Sequence, residues 1–128
     1  MNSIKHKNIA LSGAIICLLA VAIGAFGAHA FKELLIENQR EAVFELANRY
    51  QFYHGLGLLI IATLFQNFDD SRLLVLVKRL MTAGVLIFSG SLYALAISNV
   101  TWLGAITPIG GSLLIAAWAM LILRIIRS

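Results

Sequence analysis

The run LMTAGVLIFSGSLYALAISNVTWLGAITPIGGSLLIAAWAMLIL, from Leu80 to Leu123, contains no charged residue. A helix that crosses a bilayer needs about 20 predominantly apolar residues. This run is too long for one crossing and fits two joined by a tight connection. Ser98-Asn99-Val100-Thr101-Trp102 interrupts the apolar pattern at the right place, and Trp102 suits an anchor at headgroup level. Thr107-Pro108 then reads as an N-cap followed by proline at the first helical position. A start near Leu103, with a kink at Pro108, is the other reading. The run decides the fold class, because nothing so apolar and so long belongs in a water-soluble domain.

Working outward, two more charge-free runs appear, between Lys7 and Lys32 and between Arg49 and Asp69. Each fits one span. The expected spans are about 9–30, 50–68, 80–98 and 103–126, which make an all-α, single-domain, polytopic membrane protein with four transmembrane helices in a bundle. Of the 128 residues 60% are hydrophobic and 12% charged, against about 25% charged in soluble domains, so too few charges remain to cover a water-facing surface. The net charge of +4 and pI of about 9.6 do not indicate nucleic acid, since the cations sit at the ends of apolar runs without a basic face or aromatic platform. Their expected partners are lipid headgroups.

Orientation follows from lysine and arginine. Lys5, Lys7, Arg72, Lys78, Arg79, Arg124 and Arg127 fall on one side, and Lys32, Arg40 and Arg49 on the other. The positive-inside rule places both termini in the cytoplasm of an inner (plasma) membrane protein. Lys5 and Lys7 ahead of an apolar stretch, with Ala28-His29-Ala30 as a small-x-small site, also resemble a cleavable leader. The apolar run exceeds the usual leader length, so an uncleaved first span is expected. Asn99-Val100-Thr101 matches a glycosylation acceptor but lies too near the membrane for ready use. Cys17, the single cysteine, reads as a small apolar packing residue and permits no intrachain disulfide.

Residues 31–49 are not an ordinary loop. Phe31, Leu34 and Leu35, then Val43, Leu46 and Ala47, recur at helical spacing, and Glu45 and Arg49 stand at i, i+4. The segment predicts an amphipathic helix on the outer surface, or an outward extension of the second span, with a turn near Asn38-Gln39. Small residues at steps of four, Ala20-Gly24-Ala28 and Gly90-Ala94-Ser98, predict close helix packing within the bundle or between copies in a homo-oligomer.

His6 lies in a segment expected to be solvated and needs no special role. His29 ends the first span and His54 is placed one turn into the second, which puts both at similar depth near the outer face. Glu33, Tyr50, Tyr53, Tyr93, Ser91 and Thr107 gather at the same end. Ionisable groups at membrane depth are functional candidates because burying them unpaired is costly. The plain reading is interfacial hydrogen bonding that fixes helix register. The sharper ones are a divalent metal on His29, His54 and Glu33, a haem between the two histidines, or a path for protons or a small solute. No nucleophile–base pair, paired carboxylates or phosphate loop occurs, so neither an enzyme nor a cofactor is expected.

Gly24-Ala25-Phe26-Gly27-Ala28-His29-Ala30, Tyr50-Gln51-Phe52-Tyr53-His54, Ser89-Gly90-Ser91-Leu92-Tyr93 and Thr107-Pro108-Ile109-Gly110-Gly111 occur in that order. Together they resemble the small inner-membrane proteins of the YgdD/YwdK type, over nearly the whole chain. The resemblance implies a four-helix membrane protein and supplies no catalytic residues. The function expected is that of a structural, interaction or lipid-binding membrane component. An oligomeric carrier or channel, and a metal or haem protein, are the alternatives. The expected partners are membrane lipids, a second copy or another membrane protein.

Overall fold

The computed structural model describes residues 3–128, and these are helical with short connections. The helices are α1 (Lys7–Ala30), α2 (Lys32–Asn38), α3 (Glu41–Leu64), α4 (Arg72–Ser98) and α5 (Thr107–Ile126). A 3-10 turn, Thr101–Ala105, leads into α5. Three stretches are long and apolar enough to cross a membrane: α1, α4, and α5 together with its 3-10 turn. Helix α3 is comparably long, but Asn48, Arg49, Gln51 and His54 dilute its apolar character. It packs between α1 and α4, and α5 packs chiefly against α4.

Several boundaries differ from the sequence expectation, each for a local reason. Helix α3 starts at Glu41 rather than near residue 50, continuing outward through the Glu45–Arg49 stretch, and it ends at Leu64. Helix α4 starts at Arg72 rather than near residue 80, because the Ser71 hydroxyl caps it by accepting the Leu74 N–H at 3.1 Å. Helix α5 proper starts at Thr107, with Pro108 in its first turn where no intrahelical N–H is needed. Thr107 caps nothing, since its hydroxyl is engaged elsewhere.

The connections are tied down at both ends. At the end away from the amino terminus, Gln39 and Asn99 adopt left-handed conformations (φ 54° and 58°) that stop α2 and α4. The Asn38 amide donates to the Ala96 and Ile97 carbonyls at 3.0 and 3.2 Å, and Arg40 Nε donates to Asn99 Oδ1 at 3.1 Å. Two of the carbonyls that α4 leaves open at its end thereby gain partners.

At the basic end, His6 is not solvated as expected but 3% exposed. Its Nε2 lies 2.7 and 3.0 Å from the Phe65 and Phe68 carbonyls, and its Nδ1 lies 2.8 Å from the Asp70 carboxylate. Lys5 Nζ donates to Asp69 at 2.6 Å. Arg124, near the end of α5, lies over the Phe65 and Phe68 rings and donates to the Ser71 hydroxyl at 3.2 Å. The amino-terminal segment and α5 therefore both grip the α3–α4 connection.

The main apolar core fills the basic half, where Leu58, Ile61, Phe65, Leu74, Val77, Met81 and Leu114 interlock. A smaller cluster of Leu35, Phe44 and Ala96 closes the other end. Glycines set the closest crossings. A Cβ on Gly13 would meet the Gly55 carbonyl at 2.6 Å, and one on Gly84 would meet the Leu114 side chain at 2.8 Å. Leu18, Phe26, Ile115 and Ile126 point outward, as lipid-facing side chains do.

Candidate functional site

Between α1, α3 and α4, in the half of the molecule away from the basic end, lies a chain of polar side chains. Asn48 and Gln51 are one turn apart on α3, on the face turned to both neighbours. Asn48 Nδ2 donates to the Ala20 carbonyl of α1 at 2.8 Å and to the Tyr93 hydroxyl of α4 at 3.0 Å. Gln51 Nε2 donates to the Ile16 carbonyl at 3.2 Å, and its Oε1 accepts from the Tyr93 hydroxyl at 2.7 Å. Ser89 of α4 adds a bond to the Ala47 carbonyl at 2.7 Å. Gly24 makes room for this arrangement, because a Cβ there would lie 2.7 Å from Asn48 Oδ1. Just beyond, α1 widens into a π-helical turn over Ile23–Gly27.

One turn beyond Gln51 on α3, His54 bridges to α5. Its Nδ1 lies 2.7 Å from the Tyr50 carbonyl and must donate to it. Its Nε2 lies 3.1 Å from the Trp118 indole nitrogen, which only donates, so Nε2 accepts. The two partners thus assign the neutral tautomer with hydrogen on Nδ1. Tyr50 stacks on Phe88 with ring centroids 4.5 Å apart, and the edge of Trp118 meets His54. These side chains, with Tyr53, Gly111, Leu114 and Ile115, line a cleft of about 450 Å³ between α3, α4 and α5. It opens sideways past the exposed Tyr53, Ile115 and Trp118. Neither the Tyr50 nor the Tyr53 hydroxyl has a hydrogen-bond partner among the described residues.

The structure redistributes the residues expected to cluster. His29 is exposed and does not approach His54. Gly55 faces Cys17 across the α1–α3 crossing, so His54 is level with the middle of α1. His29 lies twelve residues beyond Cys17, roughly 18 Å along the axis at about 1.5 Å per residue. The matched depth fails because α3 begins at Glu41, so His54 is well inside the helix rather than one turn from its start. Glu33 is exposed on α2 and remote from His54. A metal or haem held between the two histidines is therefore not formed. Among the described residues no group of three or more histidine, cysteine, aspartate or glutamate side chains is arranged to hold a metal.

Other expected residues do meet. Tyr50, Tyr53 and His54 share the cleft, and Tyr93 joins the Asn48–Gln51 chain. Thr107 Oγ1 and Ser91 Oγ lie 2.6 Å apart, joining α5 to α4. Ala20 and Gly24 pack against α3, and Ala28 packs against the Leu35–Phe44 cluster. Gly90, Ala94 and Ser98 do not pack inside the molecule. All three are exposed, and a Cβ on Gly90 would meet nothing within 4 Å.

Sequence reading missed Asn48, Gln51, Trp118, His6 and Arg124. Asn48 falls in the expected amphipathic segment and Gln51 just inside the expected second span, so the boundary near residue 50 separates them. Their spacing of three, which puts both on one face of α3, was the available signal.

These features define a helical membrane protein in which Asn48, Gln51, Tyr93, Ser89 and His54 are hydrogen-bonded across helices. A family described as "Protein of unknown function (DUF423)" matches residues 23–111, and the chain belongs to that family. It is 39% identical over 121 residues to the UPF0382 membrane protein YwdK of Bacillus subtilis (strain 168), covering 94% of this chain and 98% of that one. It is 44% identical over 117 residues to the UPF0382 membrane protein SH2409 of Staphylococcus haemolyticus, covering 91% and 93%. The UPF0382 membrane protein SAB0533 of Staphylococcus aureus is 42% identical over the same length. No solved structure matches the chain.

Proposed function

We propose that this protein crosses the plasma membrane four times as a helical bundle, with α3 as the fourth crossing and both termini in the cytoplasm, and that it binds a membrane amphiphile in the cleft beside His54. The observation that carries this reading is the cleft itself. It sits at the middle of the helices, opens sideways, and combines aromatic walls with the free hydroxyls of Tyr50 and Tyr53. A lipid arriving from the bilayer meets an apolar wall for its chain and phenol donors for an ester or carbonyl oxygen. The crossing of α3 is supported by its length and by its position between α1 and α4, with Gln51 and His54 buried and hydrogen-bonded. The carrier reading draws less support. Asn48, Gln51 and Tyr93 bond one another or backbone carbonyls, His54 bonds the Tyr50 carbonyl and the Trp118 indole, and the basic half of the interior is apolar.

Native mass spectrometry of gently purified protein, beside Gly111→Leu, tests the cleft. A Cβ on Gly111 meets only the Phe88 ring, at 3.7 Å, so leucine would fill the cleft without displacing backbone. Retained lipid should fall at least several-fold in the variant. Equal retention would sink the proposal.

A second reading, self-association, is favoured by the exposed Gly90–Ala94–Ser98 face. Small residues at this spacing let two helices approach closely in lipid. Mass measured in detergent for Gly90→Leu against the unaltered chain bears on it, and an unchanged monomer in both would remove it.

A further inference from the structure

The basic end holds a second concavity, remote from the His54 cleft. It measures about 270 Å³ and lies between the start of α1 and the first turns of α4. Lys7, Lys78 and Arg79 line it, and none of the three has an acidic partner among the described residues. The neighbouring acids are already engaged: Asp69 by Lys5, and Asp70, which also lines the concavity, by His6. Helix α1 has neither a side-chain cap nor an acidic residue in its first turn. The first N–H groups of the helix, in the Lys7–Ile9 stretch that lines the concavity, add to the positive field. Ile9 and Val75 supply an apolar wall on the membrane side.

From these groups we propose that the concavity is a binding site for the phosphate headgroup of an anionic phospholipid. Position favours a lipid over a free anion. Helices α1 and α4 are both long and apolar enough to cross the membrane, and both begin here, so the three cations stand at headgroup level. A basic recess between helices at that level matches the chemistry of an anionic headgroup. A free phosphate would leave the Ile9 and Val75 wall unused. A groove that shares Asp70, Val75 and Arg79 with this concavity continues to Ser71, Arg72 and Leu76, and its two arginines give a second phosphate of a diphosphatidyl lipid a place to extend. Topological bias alone would require cations on this side but no concavity, and no freeing of three of them from nearby acids.

The test is delipidated full-length protein in neutral detergent, titrated separately with cardiolipin, phosphatidylglycerol, phosphatidylcholine and inorganic phosphate, read by native mass spectrometry and melting temperature. The expected result is one anionic lipid bound at least tenfold more tightly than phosphatidylcholine, with a rise in melting temperature. The Lys78→Gln/Arg79→Gln variant should lose that preference, while Arg127→Gln, at the same end but outside the concavity, should keep it. Equal binding of anionic and zwitterionic lipids by the unaltered chain would overturn the proposal whatever the variants do. So would equal loss in Arg127→Gln, or inorganic phosphate binding as tightly as the lipids. Because Gly111→Leu alters only the other cleft, failure there leaves this site standing, and the converse also holds.

Discussion

Tyr93 is the residue on which the half of the molecule away from the basic end converges. Its hydroxyl donates to Gln51 and accepts from Asn48, while its ring meets Phe44 edge-on at 5.1 Å. Hydrogen bonds between membrane helices average about 0.6 kcal/mol, so Tyr93→Phe, which removes two of them and keeps the ring, should cost about 1 kcal/mol. Unfolding in mixed micelles would measure it, and an unchanged stability would mean that the two amides find other partners. Glycines give a sharper contrast. A Cβ on Gly110 would fall on the Phe88 backbone, which cannot swing aside as a side chain can, whereas a Cβ on Gly90 would meet open space. Gly110→Ala should therefore cost about 1–3 kcal/mol, the range for overpacking, and Gly90→Ala should stay within about 0.5 kcal/mol in the monomer. From sequence alone the two are indistinguishable, since each is a glycine in an apolar helix. Which face each turns to its neighbour depends on helix rotation, and rotation is decided by packing.

At the level of elements, the apolar spans were legible because absence of charge over a bilayer's width needs no knowledge of neighbours. Helix α3 was only half legible. Its polar residues break the hydropathy pattern that marks a span, and they do so because they face other helices rather than lipid. The basic-end clamp was not legible at all, since His6 is separated by roughly 60 positions from the carbonyls it contacts. His6→Ala removes a hydrogen bond from each of the Phe65 and Phe68 carbonyls, the former keeping the Phe68 N–H, at a cost of about 0.5–1.5 kcal/mol per bond. Faster proteolysis of the amino-terminal segment, with a lower melting temperature, is the expected result. The outer link of the clamp has a predictable acid response. The Lys5 ammonium hydrogen-bonds and attracts Asp69, holding its carboxyl below the ordinary aspartate value. A lowered folded-state value means that the contribution is present above the ordinary value, about 3.9, and is lost as pH falls through the lowered one. Asp69→Asn should flatten that acid limb in stability measured against pH. The effect should be small and should fade in salt, because the Asp69 side chain is 96% exposed.

At the scale of the whole molecule, the two ends are chemically unlike. The basic end carries seven of the ten lysine and arginine residues, with Arg124 drawn inward over Phe65 and Phe68. The opposite end is closed without an ion pair among the described residues, with Asn38 on the α4 carbonyls, Arg40 on Asn99 and Thr107 on Ser91. Positive charge resists translocation, so this asymmetry is the ground for the proposed orientation, with both termini in the cytoplasm. In the proposed orientation the cationic recess faces the cytoplasmic headgroups, and the His54 cleft opens near the bilayer middle. Single cysteines read this directly, because the native Cys17 is half-buried against Gly55 inside the α1–α3 crossing and gives little background. In intact cells a membrane-impermeant maleimide should label Gln39→Cys, in the turn between α2 and α3, and leave Ser128→Cys untouched until the membrane is opened. Labelling of Ser128→Cys from outside would invert the molecule. The cationic recess would then face the outer leaflet, and the charge asymmetry would need a cause other than insertion.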